Sequence, residues 1–224
     1  MIEDFFRLSS DAVRYYPKEC ISSSLSVPIF AAGLVALTLQ QVDPLMATLH
    51  YYRDVSGFAF EKPAVSDFTG PKGEAYSNPP EVQKAVRQLI ASQGQQLAQR
   101  VLTGMMFIFP GDCFPDASMV LMTLFELLPE EACLWLQSTL QMLPAGTMKP
   151  GEAERLLKGI ADKVQSGETR KIRMLLQGWL PAFFPRMTTS INDINDDDGV
   201  CCCCQQCLLF FFFCLSFYFL FCRA

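Results

Sequence analysis

Histidine is almost missing from this sequence of 224 residues, with His50 as the only one. No histidine-based acid–base pair can therefore exist, and we interpret His50 as a core or interface residue. The serines at residues 9–10 and 22–26 lack a partner base for nucleophilic chemistry, and no glycine-rich phosphate loop is present. These absences predict that the protein is not an enzyme, and the sequence offers no catalytic, cofactor-binding or metal-binding residue and implies no cofactor.

Cysteine is sparse in residues 1–180, where only Cys20, Cys113 and Cys133 occur. They are too widely spaced for a metal knuckle and odd in number for a set of structural disulfides, so a reducing compartment is the simplest expectation. The first residues lack the basic start and the apolar stretch of a secretory signal, so nothing at this end predicts export.

An excess of basic residues is also lacking, since 18 Lys and Arg stand against 23 Asp and Glu, a net charge of −5. Binding to a nucleic-acid backbone draws on clustered Lys and Arg, so we expect no direct nucleic-acid partner. A protein partner is the better expectation.

Alternation of apolar and polar residues, the mark of a half-buried strand, occurs nowhere, whereas apolar residues recur at helical spacing. We predict helices that start near residues 2, 25, 44, 79, 95, 115, 129, 150 and 168. Taken in pairs, they give a unit of roughly forty residues, as in HEAT or armadillo arrays. The fold class is therefore predicted to be all-α, a HEAT/armadillo-type helical-hairpin solenoid fragment, with an irregular helical bundle as the alternative.

Local signals add detail to this prediction. Asp43 and Asn78, each before a proline, are expected to cap the helices that follow them. Gly94 is expected to break the apolar pattern and to form a tight turn between two helices. The first helix pair would normally be covered by an upstream repeat, so we expect Ile2, Phe5 and Phe6 to leave an apolar surface uncapped.

Composition divides the chain into three parts. We predict a solenoid over residues 1–177, from which an exposed loop at 58–77 protrudes because Pro and Gly punctuate it. Residues 178–199 form a polar linker. Residues 200–224 form a hydrophobic tail that holds seven of the ten cysteines and seven of the nineteen phenylalanines, with Arg223 as its only charge. We interpret this tail as foreign to the native domain.

Three interpretations of the tail stay open. The cysteines at 201–204 and Cys207 could bind a soft metal, although four consecutive cysteines cannot all face one tetrahedral centre. Residues 207–222 are sixteen uncharged residues, slightly short for a bilayer, so a membrane contact follows only if they are a real tail anchor. We favour translation through a pyrimidine-rich non-coding tract, since every residue from 201 to 222 has a codon that opens with T or C.

A set of short segments carries a resemblance to a known family. They are 1–8 (MIEDFFRL), 36–39 (ALTL), 43–45 (DPL), 49–54 (LHYYRD), 78–81 (NPPE), 104–106 (GMM), 109 with 112–118 (DCFPDAS), 124–128 (LFELL), 141–146 (QMLPAG), 152–156 (EAERL) and 170–177 (RKIRMLLQ). Together they resemble the C-terminal part of the transportin-SR (transportin-3, Mtr10-like) branch of the importin-β family. The match covers about residues 1–177 and departs after Gln177, where relatives continue with an Arg-rich ending.

The resemblance implies a HEAT-repeat nuclear import receptor that shuttles between nucleus and cytoplasm. Such receptors carry Ser/Arg-rich splicing factors and release them when the Ran GTPase binds in its GTP form. Because they are far longer, this chain resembles a C-terminal fragment, without the N-terminal Ran contacts and without the upstream arginine-rich helix that grips cargo. No binding residue is carried over, since Lys84, Arg87 and Arg100 are dispersed and the Arg170, Lys171 and Arg173 cluster is small. The alternatives are a generic helical-repeat scaffold or adaptor and a tail-anchored helical membrane protein.

Overall fold

The computed structural model describes residues 1–62, 77–144 and 147–179, all of which belong to one compact unit. This part of the chain contains helices and no strand, so the all-α prediction is confirmed. The elements are α1 (Ile2–Tyr15), α2 (Pro17–Ile21), α3 (Ser26–Ala36), α4 (Val42–Gly57), α5 (Pro80–Phe107), α6 (Phe114–Leu127), α7 (Pro129–Gln141), α8 (Glu152–Gln165) and α9 (Arg170–Trp179), with a short 3-10 turn at Gly111–Cys113 before α6.

The helices pack in two rows, as expected for stacked hairpins. In one row α1 packs on α4, α4 on α6 and α6 on α9, and in the other α3 packs on α5, α5 on α7 and α7 on α8. Consecutive helices connect the rows, because α4 packs on α5 and α6 on α7. In the last pair the order of the rows is reversed: α8 packs on α7 in the second row, and α9 then packs on α6 in the first row. The described residues thus form a helical-hairpin solenoid.

Prolines mark where several of these helices begin. Pro17, Pro80, Pro115 and Pro129 stand in the first turn of α2, α5, α6 and α7. A proline there loses no hydrogen bond, since the first N–H groups of a helix have no partner within it, and its fixed φ suits the helix. The starts predicted near residues 79, 115 and 129 are therefore confirmed, whereas the short helix α2 that begins at Pro17 was not predicted.

Gly94 does not break a helix, so the predicted turn at this position is wrong. Helix α5 runs without interruption from Pro80 to Phe107, and Gly94 is buried inside it. A Cβ atom added at Gly94 would lie 2.5 Å from the indole ring of Trp135 on α7. The glycine therefore makes room for a neighbouring helix, and this close packing offsets the roughly 1 kcal/mol by which glycine weakens a helix.

Asp43 and Asn78 do not occupy the N-cap positions that were predicted for them. Helix α4 begins at Val42 after Gln41, so Asp43 lies in the first turn, where its charge still suits the helix dipole. Asn78 does not cap α5, whose N-cap position is Pro79. Instead the buried Asn78 amide donates to the Phe60 carbonyl at 2.8 Å and ties the end of α4 to the start of α5.

Only the first or last residues of the predicted loop and linker lie within the described part of the chain. Phe58 and Ala59, assigned to the exposed loop, are buried, and residues 63–76 lie outside the described residues. Helix α9 includes Gly178 and Trp179, which were assigned to the linker. The rest of the linker and the whole tail, with its cysteines at 201–207, also lie outside the described residues. None of the helices that are described is long and apolar enough to cross a membrane.

Candidate functional site

Helix α1 carries apolar side chains on two different faces. Its inner face is buried and includes Phe6, whose ring centroid lies 5.6 Å from that of Tyr51 on α4. Phe6 is only 2% exposed, so the expectation that it contributes to an uncapped surface is wrong. The expectation is right for Ile2 and Phe5, which are 41% and 44% exposed.

The second apolar face of α1 points away from its own core. Because side chains three and four apart share a helix face, the exposed residues fall on one line. We call this line the outer stripe of α1, and it consists of Met1, Phe5, Leu8, the half-buried Ala12, Tyr15 and Tyr16. A helix that is apolar on two sides is normally covered on both.

Helix α3 also exposes an apolar face. It contains no charged residue, and its buried side packs on α4, where the Tyr52 hydroxyl donates to the Phe30 carbonyl at 2.7 Å. Its other side exposes apolar residues without long side chains: Val27, Pro28, Ala31, Ala32 and Val35. Small side chains let another backbone approach closely, so this face also fits a helical neighbour.

Exposed apolar side chains are concentrated in this region. Among the described residues, twelve large hydrophobic side chains are exposed, and ten of them lie between Met1 and Val42. The other two are Leu134 on α7 and Met174 on α9. Large exposed apolar patches on soluble proteins mark interaction surfaces, so the outer stripe of α1 and the exposed face of α3 are the candidate functional surfaces.

Charged residues beside the outer stripe are already paired within the chain. The Met1 ammonium lies 2.9 Å from Asp4 and lowers the pKa of that carboxyl. Arg7 lies 2.6 Å from Glu3, and Arg14 lies 3.9 Å from Asp11. At the end of α1, the hydrogen bond between Lys18 and Glu81 raises the pKa of the lysine and lowers that of the glutamate. The margin of the stripe is therefore close to neutral.

A charged network lies behind this surface and joins three helices. The Asp54 carboxylate on α4 is only 4% exposed and lies 2.7 Å from Arg14 on α1 and 3.4 Å from Arg53. Arg53 also reaches Asp116 on α6 at 3.3 Å, and His50 Nε2 lies 3.3 Å from the same carboxylate. Two arginines offset the cost of burying Asp54, so the network fixes α1, α4 and α6 against one another.

The network brings the single histidine of the chain next to a carboxylate. His50 lies at the interface of α4 and α6, as predicted, but the carboxylate that it meets is shared with Arg53. Within the described part of the chain no group of three metal-ligating side chains is found. Cys113 is buried, which raises the pKa of its thiol to about 11 and keeps it protonated.

The small basic cluster at the start of α9 is partly used inside the chain. Lys171 and Lys163 both pair with Glu168 and hold the pKa of its carboxyl at about 2. This pairing leaves Arg170 and Arg173 as the remaining cations of the cluster.

Only part of the candidate site is visible in the sequence. Helical periodicity marks Ile2 and Phe5 as apolar positions near the start of the chain. The exposed face of α3 was not predicted, although one signal was present, since no charged residue occurs between Glu19 and Asp43. The contacts of Arg14, Arg53 and Asp54 were not predicted either, because spacing along one helix does not reveal ion pairs between helices.

Comparison with known proteins gives two distant relatives, whereas no family model matches the chain. An uncharacterized protein of Schizosaccharomyces pombe is 29% identical over 193 residues, which cover 84% of this chain and 20% of that protein. The mRNA transport regulator MTR10 of Saccharomyces cerevisiae is 24% identical over 182 residues, which cover 77% of this chain and 18% of that protein. The chain thus spans about a fifth of the length of the curated relatives that it matches.

Proposed function

We propose that this chain acts in nuclear protein import, as the C-terminal, cargo-side part of a receptor of the karyopherin type in the importin-β family. The observation that carries the proposal is the similarity to MTR10, which extends over 77% of the chain. The described helices pack as stacked hairpins, which agrees with the HEAT-type repeats that such a receptor uses. In this proposal the protein shuttles between nucleus and cytoplasm.

The proposed cargo is a Ser/Arg-rich protein of the kind that the transportin-SR branch carries. Electrostatics supports this choice, because an alternating Arg-Ser segment is strongly basic and this chain has a net charge of −5. Exposed acidic side chains occur in the second row of helices as well, for example Glu130 and Glu131 at the start of α7. Ran in its GTP form is the proposed regulator of the longer receptor.

The proposed role is non-catalytic. His50 Nε2 and the Arg53 guanidinium both lie 3.3 Å from the Asp116 carboxylate, so these side chains are engaged in contacts between α4 and α6. Binding surfaces built from stacked helical hairpins, in contrast, need only shape and charge.

The experiment that tests the proposal measures retention of cargo on the immobilised full-length receptor that contains this chain, because the Ran contacts implied by the resemblance lie outside it. A protein with an Arg-Ser-rich tail is added alone, with Ran-GDP or with Ran-GTP, and the same protein without its tail serves as the control. We expect retention that depends on the tail and falls when Ran-GTP is present. Retention that Ran-GTP leaves unchanged would instead indicate a helical scaffold or adaptor, and no retention in any arm would remove the cargo role.

A further inference from the structure

We propose that the exposed side of α5 binds an acidic, extended segment of a partner protein. We call this side, between residues 84 and 96, the amide face of α5. Around the small Ala91 it exposes polar and basic side chains: Lys84, Arg87, Gln88, Gln95 and Gln96. The inference does not depend on the proposed transport function, because Arg-Ser-rich cargo is basic and a basic face does not attract it.

The position of α5 in the fold leaves the amide face open to a partner. Helix α5 lies in the middle of its row, with α3 on one side and α7 on the other, and it also packs on α4 and α6 of the first row. A further hairpin of a solenoid stacks on the end of the rows, that is, on α1 and α3 or on α8 and α9. A neighbouring repeat would therefore not cover the amide face.

The charge of α5 is opposite to that of the chain. No acidic residue occurs in residues 82–111, whereas the whole chain has a net charge of −5. Glu81 at the start of α5 is neutralised by Lys18 of α2, whose Nζ lies 2.8 Å from its carboxylate. Three cations of α5 form no ion pair with another described residue: Lys84, Arg87 and the half-buried Arg100. They are available to carboxylates of a partner, so complementary charge selects an acidic one.

The glutamines between these cations suit the main chain of an extended segment. A glutamine side chain carries both a donor and an acceptor, and the main chain of an extended segment offers both partners, whereas a helix has already paired its own. Gln88, Gln95 and Gln96 form no hydrogen bond with another described residue. From Lys84 to Arg100 the helix rises about 24 Å at ~1.5 Å per residue, which matches about seven extended residues at ~3.4 Å each.

A protein segment fits the amide face better than a single-stranded nucleic acid does. Proteins that bind single strands combine a basic groove with aromatic rings on which the bases stack. The exposed side chains of the amide face include no aromatic ring. The neighbouring helix α7 begins with the exposed Glu130 and Glu131, which confine the basic surface to α5 and repel a long polyanion. A short acidic segment that lies along α5 meets neither obstacle.

The test measures binding of a fluorescent peptide to the full chain by anisotropy. The peptide has about ten residues, with two glutamates at each end and an uncharged middle, so that its carboxylates can reach the cations at both ends of α5. The control peptide has glutamine in place of each glutamate. We expect saturable binding of the acidic peptide that weakens as salt is added, and at least tenfold weaker binding of the control peptide.

Two double variants locate the binding on α5. Lys84→Glu with Arg87→Glu should raise the dissociation constant of the acidic peptide at least tenfold. The matched control is Arg155→Glu with Lys158→Glu, which changes the net charge equally at two exposed cations three residues apart on α8 and should leave the dissociation constant within about twofold. A peptide with lysine in place of each glutamate should bind the α5 variant and not the wild-type chain, which separates lost complementarity from lost folding.

Four results would overturn the proposal. They are no binding of the acidic peptide at about 1 mM, equal loss of binding in both double variants, no binding of the lysine peptide by the α5 variant, and tighter binding of polyuridine RNA than of the peptide. A further variant replaces the acidic residues of 63–76 and 193–198 by their amides. Unchanged peptide binding by this variant supports a separate partner, whereas binding at least tenfold tighter would assign the amide face to the chain's own acidic segments and overturn the proposal.

Discussion

The Tyr52 side chain of α4 fills the space that Gly33 of α3 leaves open. Its hydroxyl donates to the Phe30 carbonyl at 2.7 Å, and its ring lies 4.7 Å from that of Phe30 with an edge-on geometry. A Cβ at Gly33 would come within 2.5 Å of the Tyr52 hydroxyl oxygen. The close approach of α3 to α4 thus depends on Gly33, which has no side chain, and on the buried phenol of Tyr52. Burial raises the pKa of that phenol well above its ordinary value.

We first predict that Gly33→Ala destabilises the protein by about 1–3 kcal/mol, because the added methyl overpacks a filled site. The measurement is the free energy of unfolding from a urea titration. Gly57→Ala is the matched control, since Gly57 ends α4 and has no atom within 4 Å of an added Cβ. That variant should be neutral or more stable by up to about 1 kcal/mol. Equal destabilisation by both changes would contradict the role of Tyr52.

A second prediction concerns Gly94 and Trp135. Gly94→Ala should cost about 1–3 kcal/mol in the wild-type chain, because the methyl would meet the indole ring. In a Trp135→Leu background the same change should cost little or become stabilising by up to about 1 kcal/mol, since alanine is the better helix former. Urea titrations of the four chains give the coupling energy. If Gly94→Ala has the same effect in both backgrounds, the two residues are not in contact.

These two glycines show what the sequence could reveal and what it could not. The helix starts near Pro80, Pro115 and Pro129 were predicted correctly because a proline acts locally, through its own φ angle and missing N–H group, whereas the short helix α2 at Pro17 was not predicted. Gly94 was misread because the reason for a glycine there lies in Trp135, which is distant in sequence and adjacent only in the fold. A glycine in a helix is therefore ambiguous until the neighbouring helix is known.

The candidate site, like the helix starts, could be predicted from the sequence only in part. Helical periodicity marked Phe5 and Phe6 together as apolar, but it could not tell which would be covered, because they point to different sides of α1 and only Phe6 meets Tyr51. Asn78 shows a second kind of error. An Asn before Pro commonly caps a helix, but here the Asn78 amide donates to the Phe60 carbonyl just after the end of α4. Tertiary contacts decide such cases, and one sequence does not contain them explicitly.

A third prediction uses the buried carboxylate of Asp54. Arg14→Met removes the cation at 2.7 Å and leaves Asp54 with Arg53 at 3.4 Å, so we expect a loss of about 1–3 kcal/mol in the free energy of unfolding. Arg7→Met serves as the control, since Arg7 pairs with Glu3 on the surface and such pairs contribute about 0.5 kcal/mol or less. Both variants keep an apolar side chain in the helix. A loss that is as small for Arg14→Met as for Arg7→Met would show that Asp54 needs no cation from α1.

A fourth prediction concerns pH. The pKa of Glu168 is about 2 in the folded protein, against an ordinary value of 4.5, because Lys163 and Lys171 donate to its carboxylate. Since the folded pKa is the lower one, the ion pair stabilises the fold above about pH 4.5, and this stability is lost as the pH falls toward 2. Glu168→Gln should therefore lower the melting temperature slightly at pH 7 and have no effect near pH 2. The pair is exposed, so the difference at pH 7 should also shrink in about 1 M salt.

The last prediction concerns residues 180–224, which follow the end of α9. Their Phe-rich run has high apolarity and no charge before Arg223, a combination that promotes aggregation in water. The described helices bury their apolar faces mainly against one another, and Ile172 and Leu176 of α9 are buried in this way. A chain that stops after residue 179 should therefore keep the helical signal of the full protein in circular dichroism and remain soluble at a higher concentration. The comparison is made with the full chain at equal concentration, by far-ultraviolet spectra, thermal melts and the protein left after centrifugation. Cooperative unfolding of the shortened chain at a clearly lower temperature would mean that residues 180–224 are an integral part of the fold.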